Sequence, residues 1–397
     1  MGRWSELVQP PTLQAERSDT GRAATWLELF FDLAFIFVIA ELALALGKDL
    51  TPGGVRDFTV LFFASWWAWV GYTIYANRFD TDDVVYRAGK LLAMLAVAAI
   101  AASAQEAIGK DAPRFALAYA ALSAVLVALY LRAYRHVGEA RSVIRVYLVG
   151  HGLGALLWLA SVWVAAPGRY WLWGAGLVVQ VIAPVVASTR PETQPLQVEH
   201  LPERFGLFVI LVLAESIAAI SHGVHDTEWK PAALAVAGAG FLAAVALWWL
   251  YFDLAGSSAK QRLLDRSDQR GSFAHDVYAY GQLPVALGLA AFGVGLEHAI
   301  LESGDEVLKA GTRWVLCGGI AVCLAALAGI QVGITGSLRS GFPWPGAGAL
   351  VAGGLGLAAG LPPLLVVGAQ AVAIVIVVVA GIAKERSGDL DTAESPR

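Results

Sequence analysis

The sequence reads as an all-α, polytopic integral membrane protein with about twelve transmembrane helices, arranged as two parallel six-helix repeats. Three observations carry that reading. Of 397 residues, 57% are hydrophobic and 15% charged, more apolar surface than a water-soluble chain of this length could hide. The apolar residues fall into stretches long enough to cross a hydrocarbon core of about 30 Å. Acid-bearing segments also recur at a near-constant offset between the two halves of the chain.

The expected spans run in order as follows. Residues 25–47 are apolar but carry Glu28, Asp32 and Glu41, and residues 56–77 are rich in tryptophan. Alanine-rich stretches at 88–108 and 114–134 come next, then 145–166, where His151 sits among glycines, and 169–189. In the second half, 203–222 opens on Glu203 and Arg204 and contains Glu215, and 231–255 ends on Trp248, Trp249 and Phe252-Asp253. Spans 277–301 and 313–334 follow, the latter holding Cys317 and Cys323 on different helix faces, as packing residues. Only Leu361-Pro362-Pro363 separates the Gly-rich span 344–362 from 363–383, so a re-entrant hairpin is the alternative there.

Basic residues orient the chain, because Lys and Arg concentrate in short cytoplasmic loops. The segments on the N-terminal side of this partition hold 20 of the 28 Lys and Arg, among them Arg78, Arg87, Lys90, Arg190 and Arg204. This places both termini in the cytoplasm and the protein as a multi-pass component of the cytoplasmic membrane. Residues 1–24 are polar and no cleavable signal is apparent. The expected organisation is a cytoplasmic N-terminal segment (1–24), a first six-helix repeat (25–190), a second (191–383) and a cytoplasmic tail (384–397).

The repeat rests on matched residues. Glu28 recurs as Glu203, Glu41 as Glu215 and Phe79-Asp80 as Phe252-Asp253, at offsets of 175, 174 and 173. Asp83-Val84 is mirrored by Asp276-Val277 across a polar insertion within 256–274. Convergence of aromatic belts and interfacial acids is the bland alternative. Six crossings return the chain to its starting side, so two such halves share one topology and place a site at their interface.

An acid at bilayer depth costs at least about 2.5 kcal/mol, so acids kept there need partners or a task. Glu28 and Asp32, four residues apart, share one helix face, and two carboxylates so close in a low dielectric call for a neutralising arginine. Arg78, Arg87 and Arg204 are the candidates, with Arg204 favoured as the partner of Glu28 or Asp32. Glu41 and Glu215 lie deep among apolar residues, with no basic residue near Glu215 in its own span. The candidate substrate or proton site is therefore Glu28, Asp32, Glu41, Arg78, Asp80, Arg87, His151, Glu203, Arg204, Glu215, Asp253 and Asp276. Trp66, Trp67, Trp248 and Trp249 lie deeper than the interfacial tryptophans and are candidate cavity aromatics, since aromatic faces stabilise positive charge.

Several classes are excluded. A net charge of −4 leaves no footprint for nucleic acid. No Cys/His spacing suits zinc, no Gly-rich phosphate loop follows a strand, and no Gly-x-Ser-x-Gly elbow occurs, so neither metal nor cofactor is expected. The expected partners are membrane lipids and an unidentified small-molecule or lipid substrate; oligomeric state is not encoded legibly.

At these residues the chain resembles the bacterial low-temperature-requirement A family. Trp26-Leu-Glu28-Leu-Phe-Phe-Asp32-Leu-Ala-Phe is similar to that family's opening motif, and His200-Leu-Pro-Glu203-Arg204-Phe-Gly-Leu-Phe-Val-Ile-Leu-Val-Leu-Ala-Glu215-Ser216 to its second. A third region, Asp276 to His298, shares the Tyr-rich entry and Leu-Pro turn, with Gln282 where a histidine is expected. The resemblance implies a multi-spanning protein linked to growth in the cold, with no reaction or substrate attached.

Three functions fit the residues. A transporter, proton-coupled, would use the duplicated halves and interior acids. An intramembrane enzyme would protonate a lipid or isoprenoid from a carboxylic acid, as terpene cyclases do, with tryptophans stabilising the cation. A non-catalytic envelope or cold-adaptation component would need no deep acid. Transport is the favoured reading, and whether the chain is an enzyme stays open.

Overall fold

A computed structural model describes residues 8–13, 25–80, 82–190, 200–256, 269–335 and 343–393. Twelve α-helices occur among them: α1 (Trp26–Lys48), α2 (Pro52–Arg78), α3 (Val84–Ala104), α4 (Ala112–His136), α5 (Arg141–Ser161), α6 (Gly168–Ser188), α7 (His200–Asp226), α8 (Pro231–Trp249), α9 (Gln269–Leu301), α10 (Ala310–Thr335), α11 (Pro343–Leu357) and α12 (Pro363–Ala393). Each expected span coincides in the main with one of them.

Local chemistry explains the helix ends. The Glu28 amide donates to Thr25 Oγ1 at 3.3 Å and the Thr25 amide to Glu28 Oε2 at 3.0 Å, a reciprocal capping box that starts α1. Asp83 caps α3 by accepting from the Tyr86 amide at 3.0 Å. Helices α2, α8 and α12 begin at prolines, whose missing N–H costs nothing in a first turn. At Trp249 the α8 ladder passes into a π-helical turn, Leu250–Gly256, which contains the Phe252-Asp253 pair.

Among the described residues, ten of the twelve helices are long and apolar enough to cross a membrane. The other two are α2, long enough at 27 residues but diluted by Trp, Tyr and Gly, and α11. With 15 residues, α11 spans only about 22 Å, short of a full crossing. Large apolar side chains such as Phe37, Leu95, Leu156, Leu350 and Leu365 are exposed, as lipid-facing surfaces require.

The chain divides into two compact units: Met1–Ala45 with Arg56–Arg204, and Leu46–Val55 with Phe205–Arg397. In the first unit α4 packs on α3 and α5, and α5 packs on α6. Tyrosines tie α2 to α4: the Tyr72 hydroxyl donates to the Leu122 carbonyl at 2.8 Å, and the Tyr119 hydroxyl to that of Ala64 at 3.2 Å. The segment expected to be a plain polar N-terminus contributes a strand instead. β1 (Thr12–Leu13) pairs antiparallel with β2 (Phe79–Asp80), placing Thr12 opposite Asp80. Arg132 anchors this strap by donating both to the Gln9 carbonyl at 2.6 Å and to Asp83 at 2.6 and 2.9 Å.

In the second unit α9 lies against α10, α10 against α11, and α12 against α8. The α9–α10 contact is made by backbone: a Cβ on Gly288 would fall 2.5 Å from the Gly319 carbonyl oxygen, and one on Gly319 would fall 2.6 Å from that of Gly288. Buried Arg313 donates from Nε to the Gly356 carbonyl at 3.0 Å, satisfying a carbonyl of the last turn of α11.

Candidate functional site

Buried charge collects in the first unit. Helix α1 brings Glu28 and Asp32 onto one face a turn apart, as their spacing dictates. Arg204, in the first turns of α7, reaches both: its Nη2 donates to Asp32 Oδ1 at 2.8 Å, and its Nη1 lies 3.3 Å from Glu28 Oε1. Trp69 of α2 donates from Nε1 to the same Asp32 oxygen at 2.7 Å. Asp32 is 0% exposed and Arg204 6%.

Lys90, counted by the sequence reading among cytoplasmic loop residues, completes the cluster. It lies in the second turn of α3 and is 0% exposed. Its Nζ sits 3.4 Å from the centre of the Phe31 ring and 5.1 Å from that of Tyr72, within the electrostatic reach of Asp32, Glu28 and Arg204. Phe31 and Tyr72 pack on each other with ring centres 4.9 Å apart, so the cation sees two aromatic faces. Within this cluster three buried atoms keep no hydrogen-bond partner among the described residues: Asp32 Oδ2, Arg204 Nε and Lys90 Nζ. Two acids and two bases thus share one buried site, and its polar capacity is only partly used.

Nearby in the same unit, half-buried Arg78 lies over the Tyr147 ring at 5.5 Å. Tyr130, Tyr147 and His151 stack nearly parallel, with Tyr130–Tyr147 centres at 5.1 Å and Tyr130–His151 at 5.8 Å. His151 is therefore buried against aromatic rings beside Gly71.

Other predicted residues sit elsewhere. Arg87 makes a surface pair with Asp82 at 2.8 Å and takes no part in the buried cluster, because its helix face points outward. Glu203 is exposed, unlike Glu28, although its place in the first turn of α7 suits the helix dipole. Glu41, half-buried, accepts from Gln105 Nε2. Glu215 is half-buried in the second unit within reach of His222, and Asp253 is exposed on the π-helical turn. Asp80 lies in β2 and Asp276 in α9, with side chains outside the described residues. Trp66 and Trp67 are buried, but Trp248 and Trp249 are 42% and 43% exposed: α8 turns them outward, which corrects the depth expected for them. Gln282 is buried and accepts from the Tyr251 hydroxyl at 2.8 Å. Among the described residues no three His, Cys, Asp or Glu side chains converge as a metal site requires.

Sequence reasoning missed Lys90, Trp69 and Tyr72. The signal for Lys90 was present, since it lies inside an apolar run rather than before it, and a lysine there needs a partner as much as an acid does.

Comparison with known proteins agrees with these motifs. The model of the bacterial low temperature requirement A protein family matches residues 23–380. A protein of Rhizobium meliloti (strain 1021), described as uncharacterized, is 31% identical over 337 residues, covering 76% of this chain and 79% of that protein. The match takes in the Glu28/Asp32 helix, Lys90 and the Arg204 helix alike, and the chain belongs to the bacterial low temperature requirement A family.

Proposed function

We propose that the protein is a proton-coupled membrane transporter whose coupling site is the buried Asp32, Arg204, Lys90 and Glu28 cluster. One observation carries this reading: among the described residues Asp32 Oδ2, Arg204 Nε and Lys90 Nζ each lack a hydrogen-bond partner. An unsatisfied buried polar group costs about 1–3 kcal/mol, and more if charged, so a network serving only to join helices is expected to close on itself. Open valences on both signs of charge suit a site that holds a proton or a small charged solute for part of a cycle.

The near-constant offsets linking 28, 41 and 80 to 203, 215 and 253 support two six-helix repeats, the organisation that alternating access uses. The excess of basic residues on one side supports cytoplasmic termini in the cytoplasmic membrane. Glu41 and Glu215, half-buried in their helices, are further acids of this proposal. The enzyme alternative asks for an acid free to give up its proton. Glu28 and Asp32 are both engaged by Arg204, which favours transport over chemistry.

The test is a current measurement on proteoliposomes adsorbed to a solid-supported membrane, challenged with a panel of amino acids, small carboxylates and organic amines. A saturable current is expected with at least one class, abolished in Lys90→Met and Asp32→Asn. Chemical conversion of a solute without charge movement would favour the enzyme reading.

A further inference from the structure

We propose that the outer groove between α5 and α6 is a binding site for an anionic phospholipid. The groove holds about 380 Å³ and is walled by apolar residues, among them Val149, Ile182 and Val186. Its floor is formed where the two helices touch, at Gly150 and Ala183; a Cβ on Gly150 would fall 2.5 Å from the Ala183 Cβ. Nothing polar lines this stretch, so its occupant there is hydrocarbon.

One end differs. Arg145 on α5 and Arg190, just beyond the C-terminal end of α6, both line the groove together with Ser142. Neither arginine is ion-paired with an acid among the described residues; Arg145 only donates to the Tyr134 hydroxyl at 3.3 Å. The Ser142 hydroxyl is buried with no hydrogen-bond partner among the described residues. Ala140, the residue before α5, also has no polar side chain to cap the helix's first amides. Two arginines and a serine hydroxyl thus line the end of the groove next to a helix N-terminus without a side-chain cap, the groups a phosphate ester recognises. Ser142 and Gly150 are eight residues apart, so the apolar part extends about 12 Å below that point, as an acyl chain under its headgroup would. Basic pockets between membrane helices bind anionic headgroups by this combination. The inference is independent of the transport reading.

Native mass spectrometry of the full chain in detergent, titrated with phosphatidylglycerol and with phosphatidylcholine of the same acyl chains, tests it. Phosphatidylglycerol is expected to bind more tightly, by roughly fivefold for each arginine engaged. Arg145→Gln/Arg190→Gln should remove that preference, roughly thirtyfold in all, while Arg114→Gln, on another exposed surface, leaves it intact. Both substituted arginines are exposed, and the two single variants read the same effect if the double does not fold. Equal binding of the two lipids by the wild type, or a preference that survives the double variant, overturns the proposal. Displacement of the lipid by inorganic phosphate at comparable concentration overturns it too, because the site would then hold an anion rather than a lipid.

Discussion

Arg204 Nη2 lies 2.8 Å from Asp32 Oδ1, joining residues 172 positions apart through a bond with almost no exposure to solvent. Removing Arg204 strands the Asp32 carboxylate and removing Asp32 leaves Arg204 with Glu28 alone; breaking a buried pair costs about 3–5 kcal/mol, whereas replacing both partners by apolar residues is often near neutral. Arg204→Leu and Asp32→Leu are each expected to lower the unfolding temperature in detergent sharply. The double variant should recover most of the loss; a double as unstable as the sum of the singles would show that the pair is not the unit of interaction.

Lys90 presents the opposite balance. Its ammonium loses hydration and faces Arg204, against attraction to two acids and two aromatic faces. These terms oppose each other, so Lys90→Met should change stability by no more than about 1 kcal/mol while abolishing transport. Paired measurement of unfolding temperature and solute current separates the two effects, and an active Lys90→Met protein would remove the lysine from the site.

The strap at the end of α3 gives a pH dependence outside the membrane. Burial alone would push the Asp83 carboxyl up, but the Arg132 hydrogen bonds and the Tyr86 amide outweigh it and hold the group below its usual range. A lowered folded value means stability that is fully present above the unfolded value of about 3.9 and is lost as pH falls through the folded one. Acid hydrogen exchange at residues 8–13 should therefore accelerate below about pH 4 beyond the intrinsic rate. Asp83→Asn keeps a helix cap but loses the charged bonds to Arg132, costing roughly 1.5–3 kcal/mol and flattening that pH dependence.

At the α9–α10 contact, Gly288→Ala would set a methyl against the Gly319 carbonyl at 2.5 Å, with no flexible side chain to yield. The helices must separate, forfeiting packing along the seam, at an expected cost of roughly 1–3 kcal/mol as for other overpacked interiors. Gly318→Ala, where the added carbon meets nothing, is the control expected to be silent. Thermal unfolding of the two variants decides this.

The helices were legible because each apolar run is long and bounded by Pro, Gly or charge, and Asp32 with Arg204 was legible because buried charge demands a counter-charge. The Thr25–Glu28 capping box is a plain Thr-x-x-Glu pattern that was readable and gives Glu28 a structural role beside its ion pair. Lys90 was hidden by the rule that locates topology, which treats every basic residue near a loop as belonging to it. Trp248 and Trp249 were misplaced because sequence fixes their height along α8 but not its rotation. The strap was illegible for a different reason: a two-residue strand has no periodicity, and its partners lie far along the chain, Thr12 opposite Asp80 and Leu13 opposite Phe79.

The most direct measurement is the charge displaced when wild-type proteoliposomes on a solid-supported membrane receive a pH jump without solute. A proton-coupled site built on Asp32, Lys90 and Arg204 predicts a transient current that is lost in Asp32→Asn and altered in Lys90→Met but retained in Arg87→Gln, which carries only a surface pair. No current in the folded wild type, or one that survives Asp32→Asn unchanged, would contradict a coupling role for the buried cluster.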